Sequence, residues 1–321
     1  MEYRRLGRTG LKVSTICLGT MQFGWTADEE TSHLVLNRAI ELGCNFIDTA
    51  NVYSSWASGN KGGESETIIG SWLASDSIRR EDIIIATKVR GKMGNGPNDQ
   101  GLSRQHILSS VHDSLNRLRT DYIDLYQVHW PDKDTPLDET LGALDDLVRS
   151  GLVRYIGCSN YPAWLLTKAL GASDIRRLAR FESLQPHYNY IHRSEFEREL
   201  QDLCTDQKIG VIPYSPLAGG FLTGKYSREG DLPDSERVNG VKSRYFNDRG
   251  FDALETMAQV SKSYDAPVSQ MAIAWILANP IVSSAIIGAN TVSQLEETVA
   301  GADLEITSVD KTKLDDATAW D

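Results

Sequence analysis

IIIATKVRGKMGNGPNDQGLSRQHILSSVHDSLNRLRTDYIDLYQVH, residues 83–129, is the stretch on which the fold turns. It opens on a β-branched apolar run (83–88) and passes through a Gly-rich polar loop. A segment with apolar residues at helical spacing follows, and a second apolar run (123–129) closes it. Strand, helix, strand in that order implies parallel strands joined by a right-handed crossover, because parallel neighbours cannot be joined by a tight turn. The alternation runs through the chain: ICLG (16–19), NFID (45–48), VRYIGCS (153–159), FESLQ (181–185), IGVIPYS (209–215) and SAIIG (284–288) bring the strands to eight. Eight units predict an α/β fold closed as a (β/α)8 TIM barrel. An open doubly wound sheet would usually have fewer strands and a G-x-G-x-x-G turn, and none follows the first strand. We expect residues 1–321 to form a single barrel domain. YRRLGRTGLKVS (3–14) reads as a β-hairpin turning at Arg8-Thr9-Gly10 that plugs one barrel end, and the polar, Gly-rich stretch 219–250 reads as a functional loop.

A hydrophobic fraction of 40% with 24% charged residues is that of a globular chain with a sizeable core. The formal net charge of -11 argues against nucleic acid or an anionic membrane as partner, while leaving room for a local basic pocket that holds a phosphate. Cys17, Cys44, Cys158 and Cys204 are widely spaced without a C-x-x-C pair, so neither a zinc site nor a disulfide framework is indicated. With no apolar leader at the start and no membrane-length apolar run, we expect a cytoplasmic protein.

Barrels of this kind carry their active sites at the C-terminal ends of the strands. Asp48 ends the second strand, Lys88 the third, His129 the fourth and Gln185 the sixth; Ser159-Asn160 and Tyr214-Ser215 stand at the fifth and seventh. A carboxylate ending a run as apolar as Phe46-Ile47 needs a cation, and Lys88 on the adjacent strand supplies one. Tyr53 follows five residues after Asp48. A phenol of pKa ~10 exchanges protons poorly near neutrality, and a neighbouring ammonium held by a carboxylate should lower it. Asp48, Tyr53 and Lys88 thus read as a proton-transfer unit, with His129 placed to orient a carbonyl. Taken singly, Asp48 is a turn former, Lys88 a solvated base, His129 a rim histidine and Tyr53 a packed aromatic. Four such groups on consecutive strand ends are hard to explain separately.

In order along the chain, GRTGLKVS, LGTMQFG, NFIDTANVY, IIIATKV, TDYIDLYQVHWPD, GLVRYIGCSNY, QPHYNYIHR, IGVIPYSPLAGGFLTGKY and SAIIGANTVSQLEE resemble the segments of the aldo-keto reductase family. The resemblance implies a catalytic tetrad of Asp48, Tyr53, Lys88 and His129 and an NADP(H) cofactor bound without a Rossmann domain. It implies that Ser159, Asn160 and Gln185 hold the nicotinamide carboxamide, that Tyr214 stacks on the ring, and that Gly19, Thr20, Met21 and Asp48 lie near its ribose. Ser215, Pro216, Leu217, Gly219, Leu222 and Lys225 would meet the pyrophosphate, and Gly288, Ala289, Asn290, Gln294, Glu297 and Thr298 the adenosine end. The last stretch departs from the family pattern: 288–298 carries no Arg or Lys for a 2′-phosphate, which keeps NAD(H) open as the cofactor. Trp25, Trp56, Trp130 and Tyr161, each just past a strand end, are expected with Tyr53 and His129 to wall a pocket for a small carbonyl or alcohol. The chain ends soon after its last helical segment, like the bacterial and fungal reductases of aldehydes and keto-sugars. The alternative is a redox-sensing regulatory module of the same fold with little turnover.

Overall fold

The computed structural model describes residues 1–75, 78–230, 232–233 and 235–320. Eight parallel strands stand side by side: β3 (Ile16–Gly19), β4 (Phe46–Asp48), β5 (Ile84–Val89), β6 (Ile123–Val128), β7 (Val153–Ser159), β8 (Phe181–Gln185), β9 (Gly210–Val211) and β10 (Ala285–Ile287). β10 pairs with β3, and bridges Val211↔Val282 and Tyr214↔Ile286 close the circle, with Ile286 N–H donating to Pro213 O at 2.9 Å. All eight apolar runs become strands. The seventh is shorter than IGVIPYS suggests: regular pairing stops at Val211, shortly before Pro213, which has no N–H to give a ladder.

The predicted hairpin is present, β1 (Tyr3–Arg5) pairing antiparallel with β2 (Lys12–Ser14). It stoppers the N-terminal end of the barrel. Leu6 and Val13 are fully buried against Cys17, Phe46, Ile84, Leu125 and Ile212, the apolar filling of the barrel interior. Burying each such side chain contributes roughly 1.5–3 kcal/mol. Gly7 sits at φ +58, where a Cβ would lie 2.5 Å from Gly210 N, so only glycine lets the hairpin touch the barrel rim this closely.

Helices fill the outer layer, and their ends follow local chemistry. The helix Arg104–Leu118 of the opening stretch starts at Ser103, whose hydroxyl accepts from His106 N–H at 3.3 Å, and stops where Arg119 turns left-handed at φ 52. Its buried face, Ile107, Val111, Leu115 and Leu118, joins the larger apolar core between strands and helices. The stretch 219–250 contains the helix Val238–Tyr245 and is pinned by an aromatic cluster, Phe221 packing on Tyr226, Tyr245, Phe246 and Phe251 at 5.3–6.0 Å. Among the described residues no helix is long and apolar enough to cross a membrane. The four cysteines are buried free thiols.

Candidate active site

The strand ends open into a cavity of about 770 Å³ at the C-terminal mouth of the barrel. On its floor Lys88 is completely buried and spends its three N–H donors on Asp48 Oδ1, on Thr49 O at 2.8 Å and on Tyr53 Oη at 2.9 Å. The ion pair between strands β4 and β5 is the one the sequence demanded. Asp48 is itself buried, and its second oxygen accepts from Gln127 Nε2 at 3.0 Å and Gln185 Nε2 at 2.9 Å. Three filled acceptor contacts, one of them from an ammonium, make a buried carboxylate tolerable.

Burial alone would lower the Lys88 ammonium, but Asp48 and Tyr53 outweigh it and its pKa stands above the ordinary lysine value. For Tyr53 the outcome reverses the sequence-based expectation: burial raises the phenol above its ordinary value, and the opposing pull of Lys88 does not cancel it. The ammonium has donors only, so the Tyr53 oxygen must accept from it. The phenol proton is then left to point away from Lys88, toward the cavity that Tyr53 lines.

His129 is buried beside this group, its ring 5.9 Å from that of Tyr53 and stacked on Trp130 at 3.9 Å. Burial, with Lys88 and Arg90 nearby, holds its pKa well below the usual histidine value, so it is neutral with one N–H to offer. Its Nδ1 has no protein partner. Next to it Asn160 donates to His129 O at 3.0 Å and accepts from Tyr214 Oη at 3.0 Å, while Ser159 Oγ donates to Gln185 O at 2.8 Å. Tyr214 lies parallel to the His187 ring, 5.1 Å away.

The cavity brings together most of the residues singled out from sequence. Gly19, Thr20, Met21, Ser159, Asn160, Gln185, Tyr214, Ser215, Pro216, Leu217, Gly219, Lys225, Gly288, Asn290, Gln294, Glu297 and Thr298 line it, as do Tyr53, Trp56, His129 and Trp130. Four do not. Leu222 and Ala289 turn into the apolar core, and Tyr161 is buried edge-on against Phe181 at 5.6 Å. Trp25 packs edge-on against Trp56 at 5.7 Å, backing the wall without forming it. Standing just past a strand end does not fix which way a ring turns.

Sequence reasoning missed Gln127 and two cations. Arg237 and Arg244 line the cavity with Lys225, all three from the stretch between β9 and β10. Arg237 has no acidic partner among the described residues, and burial lowers its pKa. Lys225 is lowered by burial and by Arg237. In front of Lys225 the chain thins: Gly219 and Gly220 have φ +68 and +100, and a Cβ on Gly220 would meet the ammonium at 3.4 Å. A cradle of left-handed glycines before cations that have no acidic partner among the described residues, in a chain of net charge -11, has the chemistry of a phosphate site. Among the described residues no group of three or more His, Cys, Asp or Glu could hold a metal ion.

A barrel with a buried Lys-Asp pair under a tyrosine and a histidine at its C-terminal mouth has the arrangement of an enzyme site, and the class it falls in is the oxidoreductases. The chain belongs to the Aldo/keto reductase family, whose pattern matches residues 15–319. It is 40% identical to an uncharacterized oxidoreductase, YrpG, of Bacillus subtilis (strain 168), over 95% of this chain and 92% of the relative. It is 37% identical, over 95% and 92%, to a probable voltage-gated potassium channel subunit beta of Arabidopsis thaliana. With an aldo-keto reductase, dtxS3, of Metarhizium robertsii it shares 35% identity over 95% and 88%.

Proposed function

We propose that this oxidoreductase reduces aldehyde or ketone carbonyls to alcohols, or runs the reverse, with Tyr53 as the proton donor and acceptor. The observation that carries the reading is the 2.9 Å contact from Lys88 Nζ to Tyr53 Oη above a buried Asp48. Raised by burial, Tyr53 stays a neutral phenol with a proton to give. As that proton leaves, the adjacent ammonium stabilises the phenolate, and Asp48 keeps the ammonium charged and fixed. Neutral His129 donates to the substrate oxygen and sets its direction toward Tyr53.

The residues fit a nicotinamide dinucleotide. Ser159, Asn160 and Gln185 offer amide and hydroxyl groups to a carboxamide, Tyr214 an aromatic face, and Ser215, Leu217 and Gly219 with Lys225 a pyrophosphate cradle. When bound, the nicotinamide supplies or accepts the hydride. NADP(H) is the reading we favour: 288–298 is uncharged apart from acids, but Lys225, Arg237 and Arg244 reach the same cavity from another loop. Trp56 and Trp130, each nearly half exposed, flank Tyr53 and His129 and suit substrates with an apolar or flat face.

One relative is named as a channel subunit, which would make this chain a cofactor-reporting module instead. The complete Tyr53, Lys88, Asp48 and His129 set favours turnover. Pure protein given NADPH or NADH and a panel of aldehydes, ketones and keto-sugars should consume the cofactor, read by nicotinamide absorbance. No consumption in either direction with any substrate would favour the module.

A further inference from the structure

Asp48 has more donors than its pairing with Lys88 needs, and one comes from a residue that does not reach the cavity. Gln127 is completely buried on β6, in register with Lys88 on one side and Gly157 on the other. Its Nε2 donates to Asp48 Oδ2 at 3.0 Å, the oxygen that also accepts from Gln185 Nε2 at 2.9 Å. Gln185 Nε2 in turn reaches Gln127 Oε1 at 3.4 Å. A carboxylate can only accept, so both amides must turn their nitrogen toward Asp48. For Gln185 this is directional: both its N–H groups are drawn inward, and its Oε1 is what remains for the cavity it lines.

We propose that Gln127 is a positioning residue acting through Gln185: by engaging the second N–H and sharing Asp48, it locks Gln185 with its oxygen outward. That wall then selects a ligand group that donates, such as the N–H2 of a primary carboxamide, over an isosteric group that only accepts. Without Gln127, Gln185 keeps its bond to Asp48 but its second N–H loses its partner, so the amide can pivot about the Asp48 bond and offer an N–H to the cavity beside its oxygen. The proposal rests on the reading that the nicotinamide end lies against Gln185.

The test compares binding of NADP+ with that of its 3-acetylpyridine analogue, in which a methyl replaces the carboxamide nitrogen, titrated by tryptophan quenching. Wild type should favour NADP+ by about tenfold, the effect of one lost hydrogen bond to an acceptor out of reach of water. Gln127→Met should bring the ratio to within about twofold, and the double variant with Gln185→Met should match Gln185→Met alone. A purely structural contribution of Gln127 would instead weaken both ligands equally. If Gln127→Met does not fold, Gln127→Glu, which keeps the size and loses the amide, goes through the same comparison. A wild-type ratio near one, or an unchanged ratio in the variant, overturns the proposal while leaving carbonyl reduction standing. Failure of the wild type to bind either dinucleotide overturns both.

Discussion

At one end of the cavity the key polar groups come from strands: Asp48, Lys88, Gln127 and Gln185 stand on β4, β5, β6 and β8, buried and hydrogen-bonded to one another. At the other end Lys225, Arg237, Asn290 and Gln294 come from loops and helix starts, and Arg237 has no acidic partner among the described residues. The first region is set by the barrel strands and by the hydrogen bonds its side chains make to one another. The second gathers cations in one place, where burial first and Arg237 second lower the Lys225 ammonium. The chain therefore spends its rigidity where a proton must move and its unpaired charge where an anion must be drawn in.

The largest effect should come from the rigid end. Tyr53→Phe removes the proton and keeps the ring, so turnover should fall by about 10³-fold or more while cofactor affinity stays within a fewfold; general acid catalysis is worth about that much. Retained activity would assign the proton to another group. Lys88→Met should cost about 3 kcal/mol of stability in urea titrations, because it strands the buried Asp48 charge, and should abolish turnover as well. A variant as stable as wild type would mean that the two glutamines suffice for Asp48. At the loose end, Arg237→Gln should weaken NADPH about tenfold more than NADH with no loss of stability. An equal effect on the two cofactors would move Arg237 off the 2′-phosphate. The most gradual effect concerns acid. His129 and His187 are held neutral in the fold, His187 with a pKa lowered by burial, His192 and Arg244 to about 3. Their folded pKa values lie below the unfolded ~6.5, so the unfolded chain binds more protons below that pH. The stability they leave intact above pH 6.5 is lost as pH falls, by up to about 1.4 kcal/mol per unit per histidine. A urea midpoint unchanged between pH 7 and pH 5 would contradict this.

The same contrast explains what could be read from the residues alone. A parallel strand end fixes where its polar residue goes, so Asp48, Lys88, His129 and Gln185 were legible as one constellation. Gln127 sits one residue before the last of its strand, where alternation gives a face but not a partner; its value appears only once β5 and β8 place Asp48 and Gln185 within reach. Arg237 and Arg244 were invisible for another reason. Their stretch is recognisable as a loop, but its return across the mouth depends on Tyr245, Phe246 and Phe251 gathering around Phe221. The phenol shift was misjudged because sequence supplies the neighbouring ammonium and not the depth of burial.

The hairpin that closes the other end of the barrel bears on traffic. Leu6 and Val13 stopper the axis behind the floor at Lys88, and the cavity is lined by residues from the strand C-termini. On the proposed function, a dinucleotide laid along the wall from Gln185 to Lys225 and a substrate between Trp56 and Trp130 would share that opening. The one seated deeper has to arrive first and leave last, which makes the residence time of the cofactor a ceiling on the rate of its exchange, however fast the proton moves.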